Sequence, residues 1–246
     1  MAKPVSLTFQ PEWKPTDRFG VSDVYILGRI PVVPTRLAEG RIGSDFLYSA
    51  PDQRWATSLD RHLEQWEVGA EALILFLDEF WSFQTKEGGK GCASGHHVLT
   101  PDLPIHAVYV STNDLNGCAQ GIYHEYAHLR LEAMGIGIDQ HDGKLLTNIA
   151  SELYDSSVRF DVKRPMSAVL HGFYAWLMFT ENDWQNYNAG VLTRDDFMQY
   201  SERNWKKIDV GWQEIDRYAR WTADGADFWS GCTAWATDLL SRCRLV

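Results

Sequence analysis

The residue pattern with the clearest chemical potential is His-Glu-x-x-His, formed by His124, Glu125 and His128. Helix-favouring residues surround it up to Gly135, and residues four apart on a helix project from the same face. Two imidazoles placed in this way can bind one metal ion, and the carboxylate beside them can act as a general base. The pattern is short, so the surrounding sequence has to indicate which chemistry it carries.

A catalytic metal that is held by two histidines needs at least a third protein ligand. The compact three-histidine arrangement of some peptidases is absent, because Leu131 and Met134 occupy its glycine and third-histidine positions. Two downstream candidates remain open. Glu152 lies 24 residues after His128, a separation comparable to that of the glutamate ligand in some zinc peptidases. His171 lies in an apolar segment whose nearest residues on the same helix face are mostly small.

Both candidates also have an ordinary structural interpretation. Glu152 could be a solvated charge on a polar helix, and His171 could be a hydrogen-bonded residue of the core. The remaining histidines lie in polar or loop-like sequence and are expected at the surface; they are His62, His96, His97, His106 and His141.

Downstream of the motif, residues 164–176 read Arg-Pro-Met-Ser-Ala-Val-Leu-His-Gly-Phe-Tyr-Ala-Trp. Together with the His-Glu-x-x-His helix, this stretch resembles the pattern of the His-Glu-x-x-His peptide-modification proteins, which occur with ribosomally synthesised and post-translationally modified peptides. The resemblance covers residues 105–180. It implies an iron(II)- and 2-oxoglutarate-dependent oxygenase that consumes O2 and hydroxylates a side-chain β-carbon in a precursor peptide.

The resemblance also implies a role for each matching residue. His124, His128 and His171 would be the iron ligands. Arg164, with Arg159 as a further candidate, would bind the far carboxylate of 2-oxoglutarate, because the planar fork of a guanidinium can bind a carboxylate bidentately. The spacing between the two arginines departs from the usual one in the family, which leaves the role of Arg159 open.

The role of Glu125 depends on which chemistry the site performs. In a zinc metallopeptidase Glu125 would be the general base, with Glu152 or His171 as the third ligand. In an iron oxygenase, which needs no base to activate water, Glu125 would instead orient a ligand or a polar group of the substrate. Three neutral imidazoles would leave three positions of an octahedral ion for 2-oxoglutarate and O2, although most non-haem iron oxygenases use two histidines and a carboxylate. A third hypothesis is a non-catalytic binding module.

Composition and charge narrow the possible partners. The 246 residues are 45% hydrophobic and 23% charged, which is typical of a soluble globular protein. A net charge of −10 argues against nucleic acid as a partner, because phosphate binding needs concentrated lysine and arginine. No apolar run is long enough to cross a bilayer, and the first residues lack the apolar core of a signal peptide, so a cytoplasmic location is expected. The oligomeric state stays unknown.

The strands that precede the motif are predicted from apolar runs and the residues that end them. A short strand is predicted at residues 24–27 and another at 105–110, directly before the motif helix. Residues 59–83 suit a helix, although the apolar run 72–77 equally suits a buried strand, and periodicity does not decide between them.

The second half of the chain favours helices. They are predicted at residues 145–158, from 166 to about 180, along 205–219 after an N-cap at Thr193, and at 227–241. The widely spaced cysteines predict free thiols. We therefore predict an α+β fold forming one catalytic domain over residues 1–246. Its parts are an irregular or mixed amino-terminal part (1–104), a metal-site core (105–180) and a helical carboxy-terminal part (181–246).

Overall fold

A computed structural model of the chain describes residues 23–34, 46–86, 92–96, 106–158 and 161–244. Its described strands form one mixed sheet, in which β4 is parallel to β2 and to β6. At one edge β5 is antiparallel to β6, and β3 pairs with β4 beyond the end of β2. The strands are β1 (Tyr25–Ile26), β2 (Ile30–Pro34), β3 (Phe46–Tyr48), β4 (Glu79–Thr85), β5 (Ser94–His96) and β6 (Ala107–Ser111).

Helices account for most of the remaining described chain. They are α1 (Gln53–Leu63), α2 (Glu67–Phe76), α3 (Leu115–Ala133), α4 (Met166–Asn188), α5 (Arg194–Tyr218) and α6 (Ala223–Cys243). Four of them begin at a residue whose side-chain oxygen accepts a hydrogen bond from a backbone N–H of the first turn, which satisfies a donor that has no partner within the helix. These N-caps are Asp52, Asp114, Thr193 and Thr222.

The core connects the sheet to the helices that carry the candidate site. Val108 and Val110 of β6, Ile122 of α3 and Phe173 of α4 are all fully buried in one apolar cluster. Helix α3 therefore packs against the sheet on one side and against α4 on the other. Because α3 is enclosed in this way, its polar side chains must find partners inside the protein.

The structure confirms the α+β class and the predicted strand-to-helix order before the motif. The strand predicted at 105–110 is β6, although Ile105 itself lies outside the described residues. The ambiguous apolar run at 72–77 belongs to helix α2 up to Phe76. The long helices predicted in the last third are present as α5 and α6, and Pro165 directly precedes the first residue of α4.

The helix predicted at residues 145–158 was wrong. This segment is irregular and pairs through isolated antiparallel bridges, Leu146 with Trp221 and Tyr154 with Arg164. The side chain of Asn148 donates to the carbonyl of Tyr218 and accepts from the backbone of Arg220. Such side-chain to backbone bonds compete with helix formation, and here they attach the segment to the end of α5.

Two smaller expectations can also be compared with the structure. All four cysteines are free thiols, as predicted. No helix among the described residues is long and apolar enough to cross a membrane.

Tryptophans of the last third pack against the apolar core, for example Trp229, which is 8% exposed.

Candidate metal centre

The three histidines singled out from the sequence meet between α3 and α4. The Nε2 atoms of His124 and His128 are 2.9 Å apart, and the Nδ1 atoms of His128 and His171 are 2.8 Å apart. The rings of His128 and His171 are stacked at 5.0 Å between centroids. A separation of 43 residues along the chain is thus closed by the packing of α4 against α3.

The hydrogen bonds of these rings determine which nitrogen of each ring carries the proton. His171 Nε2 lies 2.7 Å from the backbone carbonyl of Ile136, so this nitrogen carries the proton and donates. In a neutral ring Nδ1 of His171 is then an acceptor, and it receives the Nδ1–H of His128. Nε2 of His128 is in turn an acceptor for the Nε2–H of His124. The three imidazoles thus form one hydrogen-bonded relay that ends at a backbone carbonyl.

All three rings favour the neutral form, which is the form that binds a metal. Burial lowers the pKa of His171 to about 4. Burial and the neighbouring imidazoles His124 and His171 hold the pKa of His128 well below its usual range. Burial also lowers the pKa of His124. The donor set is therefore three neutral nitrogen ligands, which suit zinc, iron, copper or nickel better than calcium or magnesium.

Two of the three rings already have a geometry that fits a shared ion. Ligand atoms at about 2.1 Å from an octahedral ion lie about 3 Å apart, close to the 2.9 Å between the Nε2 atoms of His124 and His128. His171, however, faces the opposite edge of the His128 ring. In the described part of the chain, no group of three or more His, Cys, Asp or Glu side chains has a geometry that could hold a metal. A three-histidine set requires one ring to rotate.

Glu125 is buried and both of its oxygens are occupied. Ser94 donates to Oε1 at 2.6 Å, and Nδ1 of His96 lies 2.6 Å from Oε2. Burial raises the pKa of Glu125, but the hydrogen bond and the charge of His96 outweigh burial and bring the pKa below its usual value. Oε1 of this carboxylate lies 3.9 Å from Nε2 of His124.

His96 is the residue of the site that the sequence did not indicate. It was expected at the surface, yet it is fully buried between Glu125 and Glu132. Burial lowers the pKa of His96, but its bonds to the two carboxylates raise it to about 9, so the ring is an imidazolium at neutral pH. The chain therefore places a cation beside α3, the helix that carries His124 and His128.

Strand β5 explains how Ser94 and His96 reach the same carboxylate. Alternate residues of a strand project to the same face, and Gly95 between them faces the ring of Tyr109, where a Cβ atom would lie only 2.0 Å from the hydroxyl oxygen. The pattern Ser-Gly-His was the one available signal, but three residues inside a glycine-rich stretch do not predict a buried strand.

Other residues named from the sequence lie apart from the histidines. Glu152 accepts hydrogen bonds from the hydroxyl of Tyr154 and from the guanidinium of Arg220, and its side chain is 37% exposed. Arg164 lies just before α4, and its Nη2 atom is 3.4 Å from Oδ1 of Asp139. Arg159 lies outside the described residues.

Another arginine, Arg203 of α5, is connected to His124 through two aromatic side chains. The His124 ring stacks on Phe179, and Phe179 contacts Trp176 edge-on at 4.8 Å between centroids. The guanidinium of Arg203 lies over Trp176, at 5.4 Å from the ring centroid. Aromatic side chains thus connect the guanidinium of Arg203 to the histidines, and no sequence pattern predicts this connection.

Comparison with known proteins adds no family assignment: no protein-family model and no curated protein matches this chain.

Proposed function

We propose that the chain is an iron(II)- and 2-oxoglutarate-dependent oxygenase that hydroxylates a side-chain β-carbon of a ribosomally synthesised peptide. The observation that carries the proposal is the meeting of His171 with His124 and His128, since the resemblance of residues 105–180 to the peptide-modification proteins requires these three residues to lie together. Their neutral imidazoles are suitable ligands for iron(II).

In this proposal the protein binds the metal through Nε2 of His124 and of His128. Nε2 of His171 donates to the carbonyl of Ile136, which leaves Nδ1 as its metal-binding nitrogen. Iron(II) with 2-oxoglutarate would supply the oxidation of a C–H bond by O2. Arg164 would exchange its partner Asp139, which is 78% exposed, for the far carboxylate of 2-oxoglutarate.

The environment of Glu125 favours a positioning role over a basic one. A general base needs a free oxygen and a pKa near the working pH. Both oxygens of Glu125 accept short hydrogen bonds, from Ser94 and His96, and its pKa is low. Glu125 would therefore hold β5 against α3 and fix the orientation of the metal-binding helix.

The direct test is anaerobic addition of iron(II) and 2-oxoglutarate to the purified chain. A weak visible charge-transfer band and one bound iron per chain are expected, with succinate formed when O2 and a precursor peptide are added. His171→Ala should lose both the iron and the band, whereas His106→Ala, at a half-exposed histidine that directly precedes β6 and pairs with Asp78, should retain them. Stoichiometric zinc with peptide cleavage and no succinate would contradict the proposal.

The carboxylate-binding role of Arg164 has its own test. Arg164→Met should raise the KM for 2-oxoglutarate by about tenfold or more, because a charge-assisted bidentate contact contributes about 1.5–3 kcal/mol. Arg203→Met is the matched control. If only the Arg203 variant loses affinity for 2-oxoglutarate, the cation above Trp176 is the anchor and the assignment of Arg164 is wrong.

A zinc metallopeptidase is the alternative, and the 2.9 Å between the Nε2 atoms of His124 and His128 favours it equally. It would require Glu125 to leave Ser94 and His96 before it could activate water. Glu125→Gln should abolish a hydrolase but only weaken an oxygenase, and Glu152→Ala should release the metal only if Glu152 is the third ligand. The zinc and iron content and the peptide cleavage of these two variants separate the functions.

A further inference from the structure

Two cations of helix α5 lie over one tryptophan of α4. The guanidinium of Arg203 is 5.4 Å from the centroid of the Trp176 ring, and the ammonium of Lys207 is 5.8 Å from that centroid. Residues four apart on a helix project from the same face, which brings both side chains to the same ring. The chain as a whole has a net charge of −10, so this pair is a local concentration of positive charge.

The guanidinium of Arg203 is open to a ligand. Arg203 is exposed, and its Nε atom donates to Oδ1 of the buried Asn204 at 3.2 Å. Within the described chain, no carboxylate forms an ion pair with this guanidinium. Its two terminal nitrogens form the fork with which an arginine binds a carboxylate bidentately. This residue is therefore a cation that can accept an anionic partner.

Lys207 is half-buried, and its surroundings favour a nearby anion. Its ammonium donates to the carbonyl oxygen of Val158 at 3.4 Å. Burial lowers the pKa of Lys207, and the charge of Arg203 lowers it further. Both effects disfavour the charged ammonium, whereas a carboxylate bound beside the two cations would stabilise it.

The two cations lie on the open side of the candidate metal centre. His171 is 1% exposed, whereas the side chain of His124 is 27% exposed, so the centre opens to solvent at His124. The rings of Phe179 and Trp176 connect this histidine to the cations, through contacts of 6.0 and 4.8 Å between centroids. Because an extended peptide advances about 3.3–3.6 Å per residue, a peptide that reacts at the histidines reaches the cations within about five residues.

An apolar surface accompanies the two cations. Val158, whose carbonyl accepts the hydrogen bond from Lys207, is 44% exposed. It packs over Gly172, one turn before Trp176 on α4, where an added Cβ would lie 2.6 Å from Cγ2 of Val158. An aromatic ring and an aliphatic side chain thus lie beside two positive charges. This combination is complementary to a carboxylate that is flanked by apolar residues.

We propose that Arg203 and Lys207 bind a carboxylate group of the peptide substrate. This inference rests on the proposed function, because it requires a peptide at the metal centre. A guanidinium fork and an ammonium can both donate hydrogen bonds to carboxylate oxygens. A peptide has two sources of this group, the side chain of an acidic residue and the free carboxy-terminus, and the probes below distinguish them.

Calorimetric titration of the full metal-free chain with matched pentapeptides tests the proposal. Acetyl-Gly-Leu-Glu-Leu-Gly-amide should bind about tenfold more tightly than acetyl-Gly-Leu-Gln-Leu-Gly-amide, because charge-assisted hydrogen bonds are roughly twice as strong as neutral ones. The glutamine peptide with a free carboxy-terminus is the third probe, and it binds more tightly than its amide only if a carboxy-terminus is recognised.

Two results of these titrations would overturn the proposal. One is that neither carboxylate peptide binds more tightly than the neutral peptide. The other is that 2-oxoglutarate at equal concentration displaces the glutamate peptide, because the cations would then bind the cosubstrate.

A charge-removing variant locates the binding. Arg203→Met should reduce the preference for the glutamate peptide about tenfold, because it removes the guanidinium fork. Arg217→Met is the matched control, since Arg217 is also an exposed arginine of α5 and lies over the ring of Tyr218 at 5.8 Å. It is about 21 Å further along the helix axis, so the preference should be unchanged. Equal losses in both variants would mean a general charge effect and would contradict the assignment.

A charge reversal keeps the test independent of folding. The double variant Arg203→Glu, Lys207→Glu should prefer acetyl-Gly-Leu-Lys-Leu-Gly-amide to the glutamate peptide, because attraction of the carboxylate becomes repulsion. A misfolded chain does not gain such a preference, and a retained preference for glutamate would refute the proposal.

The metal ligands provide the last comparison. His171→Ala should lose the iron but retain the preference for the glutamate peptide, so failure of the metal centre and failure of this site are distinguishable. Loss of the preference in that variant would place the carboxylate at the histidines instead of at Arg203 and Lys207.

Discussion

The carboxylate of Glu125 shows how the chemistry of one residue depends on the side chains around it. From the motif alone Glu125 is a candidate base, but Ser94 and His96 occupy both of its oxygens. The imidazolium of His96 also contacts Glu132, so a buried cation joins two acids of the same helix. This small network, rather than a free carboxylate, borders the three histidines.

His96→Gln should lower the free energy of unfolding by about 3 kcal/mol at pH 7, because it leaves two carboxylates in buried surroundings without their cation. Urea denaturation measures this change. His106→Gln is the control, because the side chain of His106 pairs with Asp78 and is 45% exposed. Its loss should lower the free energy of unfolding by less than about 0.5 kcal/mol. Equal losses in the two variants would contradict the proposed network.

The raised pKa of Asp183, a residue away from the three histidines, predicts that the stability of the protein depends on pH. Burial raises the pKa of Asp183 to about 7, against partly compensating hydrogen bonds from Gln120 and Asn116. Between pH 4 and 7 the unfolded chain has lost this proton while the folded chain retains it. Stability from this group is therefore greatest below pH 4 and decreases as the pH rises to 7, by at most about 1.4 kcal/mol per pH unit.

Asp183→Asn should remove this decrease, because an amide does not ionise. The measurement is the free energy of unfolding at a series of pH values from 4 to 8, for the variant and for Asp195→Asn, whose side chain is exposed. If the slope of the Asp183 variant equals that of the control, the carboxyl of Asp183 is already ionised across this range in the folded chain.

At the scale of elements, the position of α3 against the sheet brings the motif to β5. Gly121 lies one turn before His124 and faces β6, where an added Cβ would lie 2.5 Å from Cγ1 of Val110 and 2.9 Å from the sulfur of Cys92. The close approach of helix and strand thus requires a residue without a side chain at this position.

Gly121→Ala should destabilise the protein by about 2 kcal/mol, because the clash with a β-branched side chain in the sheet outweighs the helix propensity of alanine. Gly231→Ala in α6 is the matched control, since nothing lies within 4 Å of its added Cβ. That variant should be as stable as the parent or more stable, by up to about 1 kcal/mol. Thermal and urea unfolding of both variants should show that Gly121→Ala lowers the stability and that Gly231→Ala does not.

At the scale of the whole molecule, the last helix is attached to the site-bearing helix by a buried acid. Glu181 of α4 is 4% exposed. It accepts two hydrogen bonds from Arg242, at 2.7 and 3.0 Å, and one from the indole of Trp235, at 2.9 Å. The carboxy-terminal helix thus contributes to the environment of α4, the helix that carries His171.

Arg242→Gln should cost about 2 kcal/mol of stability, because it leaves Glu181 buried without its cation, although Arg242 itself retains some contact with solvent. Arg244→Gln, at an exposed arginine just beyond the helix, should have little effect. Urea denaturation of both variants provides the comparison. A double variant with Glu181→Gln should recover part of the loss, which separates the ion pair from simple loss of packing.

Local features of this protein were readable from the chain alone. The four-residue spacing of His124 and His128 determined that they share a helix face, and Thr193 marked where a helix begins. The strand before the motif and the α+β class followed from short-range periodicity. These features depend on neighbours within one or two turns, so sequence pattern is sufficient to predict them.

Tertiary structure alone decided which distant residues meet. It brought His171 to His128 across 43 positions, gave Glu125 its partners Ser94 and His96, and placed Glu152 against Arg220. It also kept residues 145–158 irregular, because the side chain of Asn148 bonds to the backbone near the end of α5. Each of these outcomes is a contact between segments far apart in the chain, and no local periodicity encodes such a contact.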